Sequence, residues 1–334
     1  MTSARLIPIL PEFDPDAIRQ RLQRHEFFWA DFTLGEEVSL DEIQRAFALD
    51  AGAVDALGMF GRRTHDARGP QRRVYVDEEH VVFPFWCVGG PEAEVNESRG
   101  ALDIYEVKVL VHGDYLLTIH EEARDLVELV GKKLPGQRSE GYTVYVVLES
   151  MTSTFFRALL VVQDAMGALE SDLLETSGRT RQRHQETIRG VRLRLTELRS
   201  VAGPGRVLFD RASGEVEQVQ GLETDRRGYF DRITRQLDRV IDGLDAAGRG
   251  LSNAVEVELN ETTYRLTIVA TIFLPLTFLV GFFGMNFGWM VGEVDTAAAF
   301  WLLGVGGCVL AVALIVGFLV IQNALGGPRV GRSR

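Results

Sequence analysis

Cysteine is nearly absent from the 334 residues: Cys87 and Cys308 are the only two, far apart and with no second Cys or His at ligand spacing beside either. That excludes a disulfide framework and a zinc-finger type of site. Basic charge is also short. Lys and Arg total 36 against 47 Asp and Glu, a formal net charge of −11, which speaks against nucleic acid as a partner because phosphate binding needs a clustered positive field. No Gly-x-x-x-x-Gly-Lys-Ser/Thr loop occurs, so no ATP site of that kind is expected. His65, His80, His112 and His120 are scattered, with no nucleophile or metal spacing beside them, which argues against an enzyme. The opening MTSARLIPILPEFDPD has too short an apolar stretch for a signal peptide, so the large N-terminal part is expected to stay in the cytoplasm.

The most informative absence is local. Charged residues fill the chain up to Arg265 and then, apart from Glu293 and Asp295, vanish until Arg329. Residues 266–287 and 299–322 each reach the run of about 20 apolar residues that a helix needs to cross a bilayer core of about 30 Å. Residues 288–298 join them as a tight hairpin. Arg265 flanks its start and Arg329, Arg332 and Arg334 follow its end, so the positive-inside rule places both termini in the cytoplasm and the acidic loop outside.

Ahead of the hairpin, residues 1–150 read as a mixed α/β domain. RVYVDEEHVVFPFWCV (73–88), IYEVKVLVHGDYLLTIH (104–120) and YTVYVVLE (142–149) are rich in Val, Tyr, Phe and Ile and predict strands. SLDEIQRAFAL (39–49) and EEARDLVELVGKKL (121–134) have helical spacing, the first opening on Ser39 and Glu42 as a capping box. Residues 151–262 predict a helical stalk, interrupted by a turn in the Gly- and Pro-containing AGPGRVLFDRASG (202–214). Its second arm keeps a long apolar stripe through Phe230, Ile233, Leu237, Val240, Leu244, Leu251, Val255 and Leu259. Arg179, Arg181, Arg183, Arg189, Arg192, Arg194 and Arg199 make the first arm basic, the pattern of a solvated, salt-bridged face, with metal gating or contact with anionic lipid heads as the alternative. Residues 263–334 form the membrane region.

Two helices cannot enclose a water-filled path with every backbone group satisfied, so a transporting chain of this shape has to oligomerise. Asn260, Thr263, Thr267, Ala270, Leu274, Thr277, Gly281 and Gly284 step by three or four and share one face of the first membrane helix. That face is small or neutral-polar, with Leu274 as a hydrophobic constriction. Small residues at these steps equally suit close packing of membrane helices, and spacing alone does not choose between the two. Asn286, beside Gly284 and Met285 at the outer helix end, would present a ring of amide oxygens to an arriving ion. Mg²⁺ gives up water reluctantly, so neutral oxygens that hold the hydrated ion fit a conducting mouth better than carboxylates. Glu293 and Asp295 would raise the cation concentration outside it.

These residues resemble a known family. TIFLPLTFLVGFFGMNF (271–287) is similar to the CorA family of divalent-cation channels, whose signature Gly-Met-Asn closes the first transmembrane helix, here Gly284, Met285 and Asn286. YLLTIHEE (115–122), YTVYVVLE and YFDRI (229–233) extend the resemblance more loosely. It implies a homopentamer with a cytoplasmic α/β funnel, a stalk helix continuous with the pore-lining first membrane helix, and the second helix facing lipid. It also implies a selectivity ring at Asn286 and pore positions at Asn260, Leu274 and Thr277. Mg²⁺ would then be both substrate and regulator, closing the channel by binding acidic residues between subunits, for which Asp225, Asp231, Asp238 and Asp242 are candidates. No resident cofactor is expected, and the location implied is the plasma (inner) membrane. The chain departs from the family's pattern at Val291, where Met-Pro-Glu-Leu is common after the motif, and at Thr263 and Tyr264, where many members have Met and Lys.

Two other readings stand beside Mg²⁺ transport. A Zn²⁺ transporter of the ZntB type would suit Phe287-Gly288-Trp289, but the pore face carries no Cys or His to prefer a softer ion. A membrane-anchored sensor or scaffold would use the hairpin as an anchor only, and would have no use for Asn286 or the neutral-polar helix face.

Overall fold

A computed structural model describes residues 7–35, 37–60, 73–89, 102–122, 126–131, 139–174, 181–220, 222, 228–285, 292, 296, 298 and 300–326. The chain divides into two compact units, Met1–Ala254 and Val255–Arg334. The first therefore holds both the strands and most of the helical arm.

Its centre is a six-stranded sheet in the order β1-β2-β6-β5-β4-β3, made of β1 (Ile9–Leu10), β2 (Phe28–Thr33), β3 (Tyr75–Val76), β4 (Val81–Val88), β5 (Ile104–Val111) and β6 (Tyr115–His120). β1, β2 and β6 run parallel, with Phe28 opposite Tyr115, while β6, β5, β4 and β3 pair antiparallel, with Val81 opposite Val111. Two of the strand segments expected from sequence are thus hairpins, one turning at Asp77 to His80 and the other at His112 to Asp114.

The middle strands are covered on both faces, which is why they read as continuous apolar runs. Phe28, Phe32, Leu110, Leu117 and Ile119 form one core with α1 (Pro15–Gln23), α2 (Leu40–Phe47) and α3 (Ala51–Gly58) through Ile18, Ile43, Phe47 and Leu57. Side chains of the alternate register, including Trp29, Phe83, Phe85, Val109 and Leu116, form the other with the long helices. Ser39 caps α2 through the expected reciprocal pair: its Oγ accepts from the Glu42 N–H while the Glu42 carboxylate accepts from the Ser39 N–H.

Helices α4 (Leu126–Gly131), α5 (Glu140–Leu174), α6 (Arg181–Val216) and α7 (Tyr229–Phe283) follow. Two expectations fail here. Residues 142–149 are not a strand but the first turns of α5. Tyr, Val and Leu fill this stretch so densely that it satisfies a period of 2 and of 3.6 alike. Packing selects the helix, because Val144, Val147, Leu148 and Met151 bury one helical face in the core. That gain exceeds the weak helix propensity of Val and Tyr, roughly 0.5 kcal/mol per residue. The turn expected at 202–214 is also absent, since α6 runs through Pro204. Gly205 sits where a Cβ would lie 3.1 Å from the Trp86 ring, so this glycine serves a close approach of helix to sheet and not a chain reversal.

Two described helices pass a length-and-hydropathy test for spanning a membrane, but they differ in kind. The most apolar stretch of α5 is 61% buried inside its own unit and is a core helix, whereas that of α7, with mean hydropathy 1.9, is 0% buried. Exposed Leu266, Phe273, Leu274 and Phe278 on α7 need an apolar medium or neighbouring helices to cover them. Further along the chain, a π-helical turn (Phe300–Val305) leads into α8 (Gly306–Gly326), whose exposed side chains are again apolar.

Candidate functional site

The sequence of α7 alone places Asn260, Thr263, Thr267, Leu274, Thr277 and Gly281 on a common stripe, and all six are exposed in the single chain. Exposure does not distinguish this stripe from the remaining surface of the helix, and the threonines on it bond back into the helix as Thr262 and Thr271 also do. Thr263 Oγ1 donates to the Leu259 carbonyl at 3.0 Å, Thr267 to Thr263 at 2.8 Å, and Thr277 to Phe273 at 2.8 Å. A hydroxyl has one proton and two lone pairs, so a threonine bonded back into its own helix offers only acceptors to the outside. The stripe is thereby a row of neutral oxygens interrupted by Leu274.

Pro275 has no N–H to give the Thr271 carbonyl, the acceptor four residues earlier. At the helix end, Gly284 N–H donates to Val280 O at 2.9 Å and Met285 N–H to Phe282 O at 3.2 Å. A Cβ on Gly284 would lie 3.1 Å from the Val280 carbonyl oxygen, so the tight finish depends on glycine. Asn286, Glu293, Asp295 and Asp225 lie outside the described residues.

Of the other acidic candidates, Asp231 and Asp242 are exposed on α7. Asp238 is engaged: its carboxylate accepts from Arg206 Nε of α6 at 2.9 Å. That hydrogen bond raises the Arg206 pKa above its usual value. Arg199 likewise bridges from α6 to Asp245 at 2.8 Å and donates to the Leu244 carbonyl, as expected of a salt-bridged face.

The histidines are less scattered than the sequence suggested. Although 32 positions apart, His80 and His112 stack with ring centroids 5.1 Å apart, because the two hairpin turns lie at the same end of the sheet. Together with Glu79 they offer ligand atoms that lie within 4.8 Å of one another. Only the register of β4 on β5 reveals this, and no spacing in the sequence carries it. Desolvation, then the neighbouring His80, lower the His112 pKa and favour its neutral form.

His120 sits elsewhere, in a buried chain of polar contacts. Trp29 Nε1 donates to Thr118 Oγ1 at 2.9 Å, Thr118 donates to Asp31 at 2.5 Å, and His120 Nδ1 donates to the Glu122 carbonyl at 2.7 Å. Burial opposes the charged imidazolium. The Asp31 carboxylate and the Glu122 carbonyl together outweigh it, so the His120 pKa is raised. Cys87, wholly buried, has its thiol pushed up to about 12 by desolvation and is chemically inert.

Comparison with known proteins agrees with this architecture. A profile described as CorA-like Mg²⁺ transporter protein matches residues 25–320. The cobalt/magnesium transport protein CorA of Thermotoga maritima is 26% identical over 203 residues, covering 57% of this chain and 56% of that protein. The zinc transport protein ZntB of Yersinia enterocolitica is 27% identical over 191 residues, covering 54% of each. The chain thus matches about half the length of these curated relatives. Among solved structures, the complete CorA magnesium transporter of Methanocaldococcus jannaschii superposes with a TM-score of 0.55 at 19% identity, over 87% of this chain and 89% of that one, a likeness of fold.

Proposed function

From its membership of the CorA-like Mg²⁺ transporter family, to which this chain belongs, we propose that it conducts divalent metal cations through a membrane pore lined by α7 from each copy of a homopentamer. The observation that carries this reading is the row of threonine oxygens along α7, each free to accept. A hydrated dication presents the hydrogens of its water shell outward, so the wall it passes needs acceptors. Threonines whose protons are tied to Leu259, Thr263 and Phe273 supply them. Neutral oxygens bind the shell weakly enough to release it, which conduction requires. Leu274 is the dewettable constriction, Asn286 the outer selectivity ring with Gly284 and Met285 shaping it, and Glu293 and Asp295 gather cations outside.

Mg²⁺ is the leading substrate, because it keeps its waters where Zn²⁺ seeks nitrogen or sulfur ligands, and the stripe has neither. The ion needs no ATP. A dication moving inward through 100 mV gains about 4.6 kcal/mol, twice the value for one charge. Both termini face the cytoplasm of an inner-membrane protein in this reading, and cytoplasmic Mg²⁺ acts on acidic residues as regulator. A Zn²⁺ substrate is the second reading, favoured by identity to ZntB as high as that to CorA.

Flux in proteoliposomes decides. Asn286→Ala is expected to abolish Mg²⁺ flux while the protein remains folded and inserted; unchanged flux would sink the assigned role. Running Mg²⁺, Co²⁺, Ni²⁺ and Zn²⁺ on one preparation separates the two substrates, and no current with any of them leaves the hairpin as an anchor.

A further inference from the structure

The two hairpin turns at one end of the sheet point to a second metal site that α7 has no part in. We propose that Glu79, His80 and His112 bind a transition dication of the Zn²⁺ or Co²⁺ type within the sheet unit.

Local hydrogen bonds build the first turn. Asp77 accepts from the N–H groups of Glu79 at 2.8 Å and His80 at 2.6 Å, and its carboxylate stands 3.1 Å from His80 Nδ1. A carboxylate on Nδ1 fixes the tautomer that leaves Nε2 with its lone pair, the usual support for a metal-ligating imidazole. His80 is almost wholly buried and therefore held in place. The second turn brings His112, whose Nε2 lies 3.9 Å from Glu79 Oε2. Glu79 is 72% exposed and free to close that gap. Asp77, Glu79 and Asp114 all act electrostatically on His112. Three carboxylates thus lie around the two imidazoles, of which Asp114 also meets the exposed His25 Nδ1 at 3.1 Å. Two imidazoles and a carboxylate match the donor set of borderline transition ions, and Mg²⁺, which takes oxygen, is a poor fit.

Loading the site needs two exchanges. His80 Nε2 now meets the Tyr115 hydroxyl at 3.1 Å and must release it. His112 Nδ1 now accepts from the Asp114 N–H at 3.0 Å, which puts the proton on Nε2. The metal must take Nε2, so the proton moves to Nδ1 through solvent as the ring turns from Asp114. Each exchange trades one neutral hydrogen bond for a coordinate bond.

The test is Co²⁺ titration of the metal-free full chain in detergent, followed by visible absorption. A four- or five-coordinate ion bound by imidazoles absorbs strongly, whereas a hydrated ion in a pore absorbs weakly, so the readout is independent of transport. One strongly absorbing equivalent per chain is expected, displaced by Zn²⁺ and untouched by excess Mg²⁺. Glu79→Ala, at an exposed position that leaves folding intact, should weaken binding at least about tenfold, as should Asp77→Asn, by analogy with losses of about 10- to 100-fold on removing such supports. Tyr115→Phe should tighten binding by removing the competitor for Nε2. Absence of the band, displacement by Mg²⁺, or a band that survives in His80→Ala/His112→Ala would overturn the site.

Discussion

Asp31 Oδ1 lies 3.5 Å from His120 Nε2, with both side chains almost completely withdrawn from solvent. The pair joins β2 to β6, the central parallel contact of the sheet, where Asp31 is directly opposite Thr118. Because the folded His120 pKa is raised, the pair's contribution to stability is fully present below the unfolded value of about 6.5 and fades as pH rises through the folded value. Asp31→Asn is therefore expected to cost about 1–3 kcal/mol, with its deficit largest near pH 5 and shrinking at pH 8 and above. Urea unfolding followed by Trp29 fluorescence at several pH values measures it, and a deficit that grows with pH would contradict the assignment.

For the pore proposed above, Thr277 offers a cleaner probe than any charged residue. Thr277→Val keeps shape but removes the acceptor, and Thr277→Ser keeps the acceptor. Losing one hydrogen bond of about 1 kcal/mol to the passing shell predicts at least roughly fivefold slower Mg²⁺ flux for the valine variant. Serine should stay near the native rate. Equal loss in both would mean that the methyl, and hence helix packing, is what this position supplies.

Gly205 tests the seam between α6 and β4. A side chain there meets Trp86, a large buried residue, so Gly205→Val should destabilise the sheet unit by about 1–3 kcal/mol through overpacking. The Trp86→Leu background should relieve much of that loss. A destabilisation unaffected by the second substitution would place the strain elsewhere.

The parts legible in the sequence were those where one local signal acts alone. Ser39 and Glu42 sit three residues apart and cap α2 whatever surrounds them. The uncharged run that contains Gly284 and Met285 likewise announces itself by composition. Where two signals competed, the sequence misled. Alternation and helical spacing coincide in Tyr142, Val144, Val146 and Leu148, and only the sheet beneath them decides. Gly203, Pro204 and Gly205 read as a break, yet the glycine there answers to Trp86, more than a hundred positions away in the chain. His80 and His112 meet only through strand register, which no single-sequence pattern encodes.

The sheet's outermost strands, β1 and β3, are two residues long. A strand that short exposes too few free amides and carbonyls to template a ladder with another molecule. Neither β1 nor β3 is itself long enough to add a strand of another molecule to the sheet.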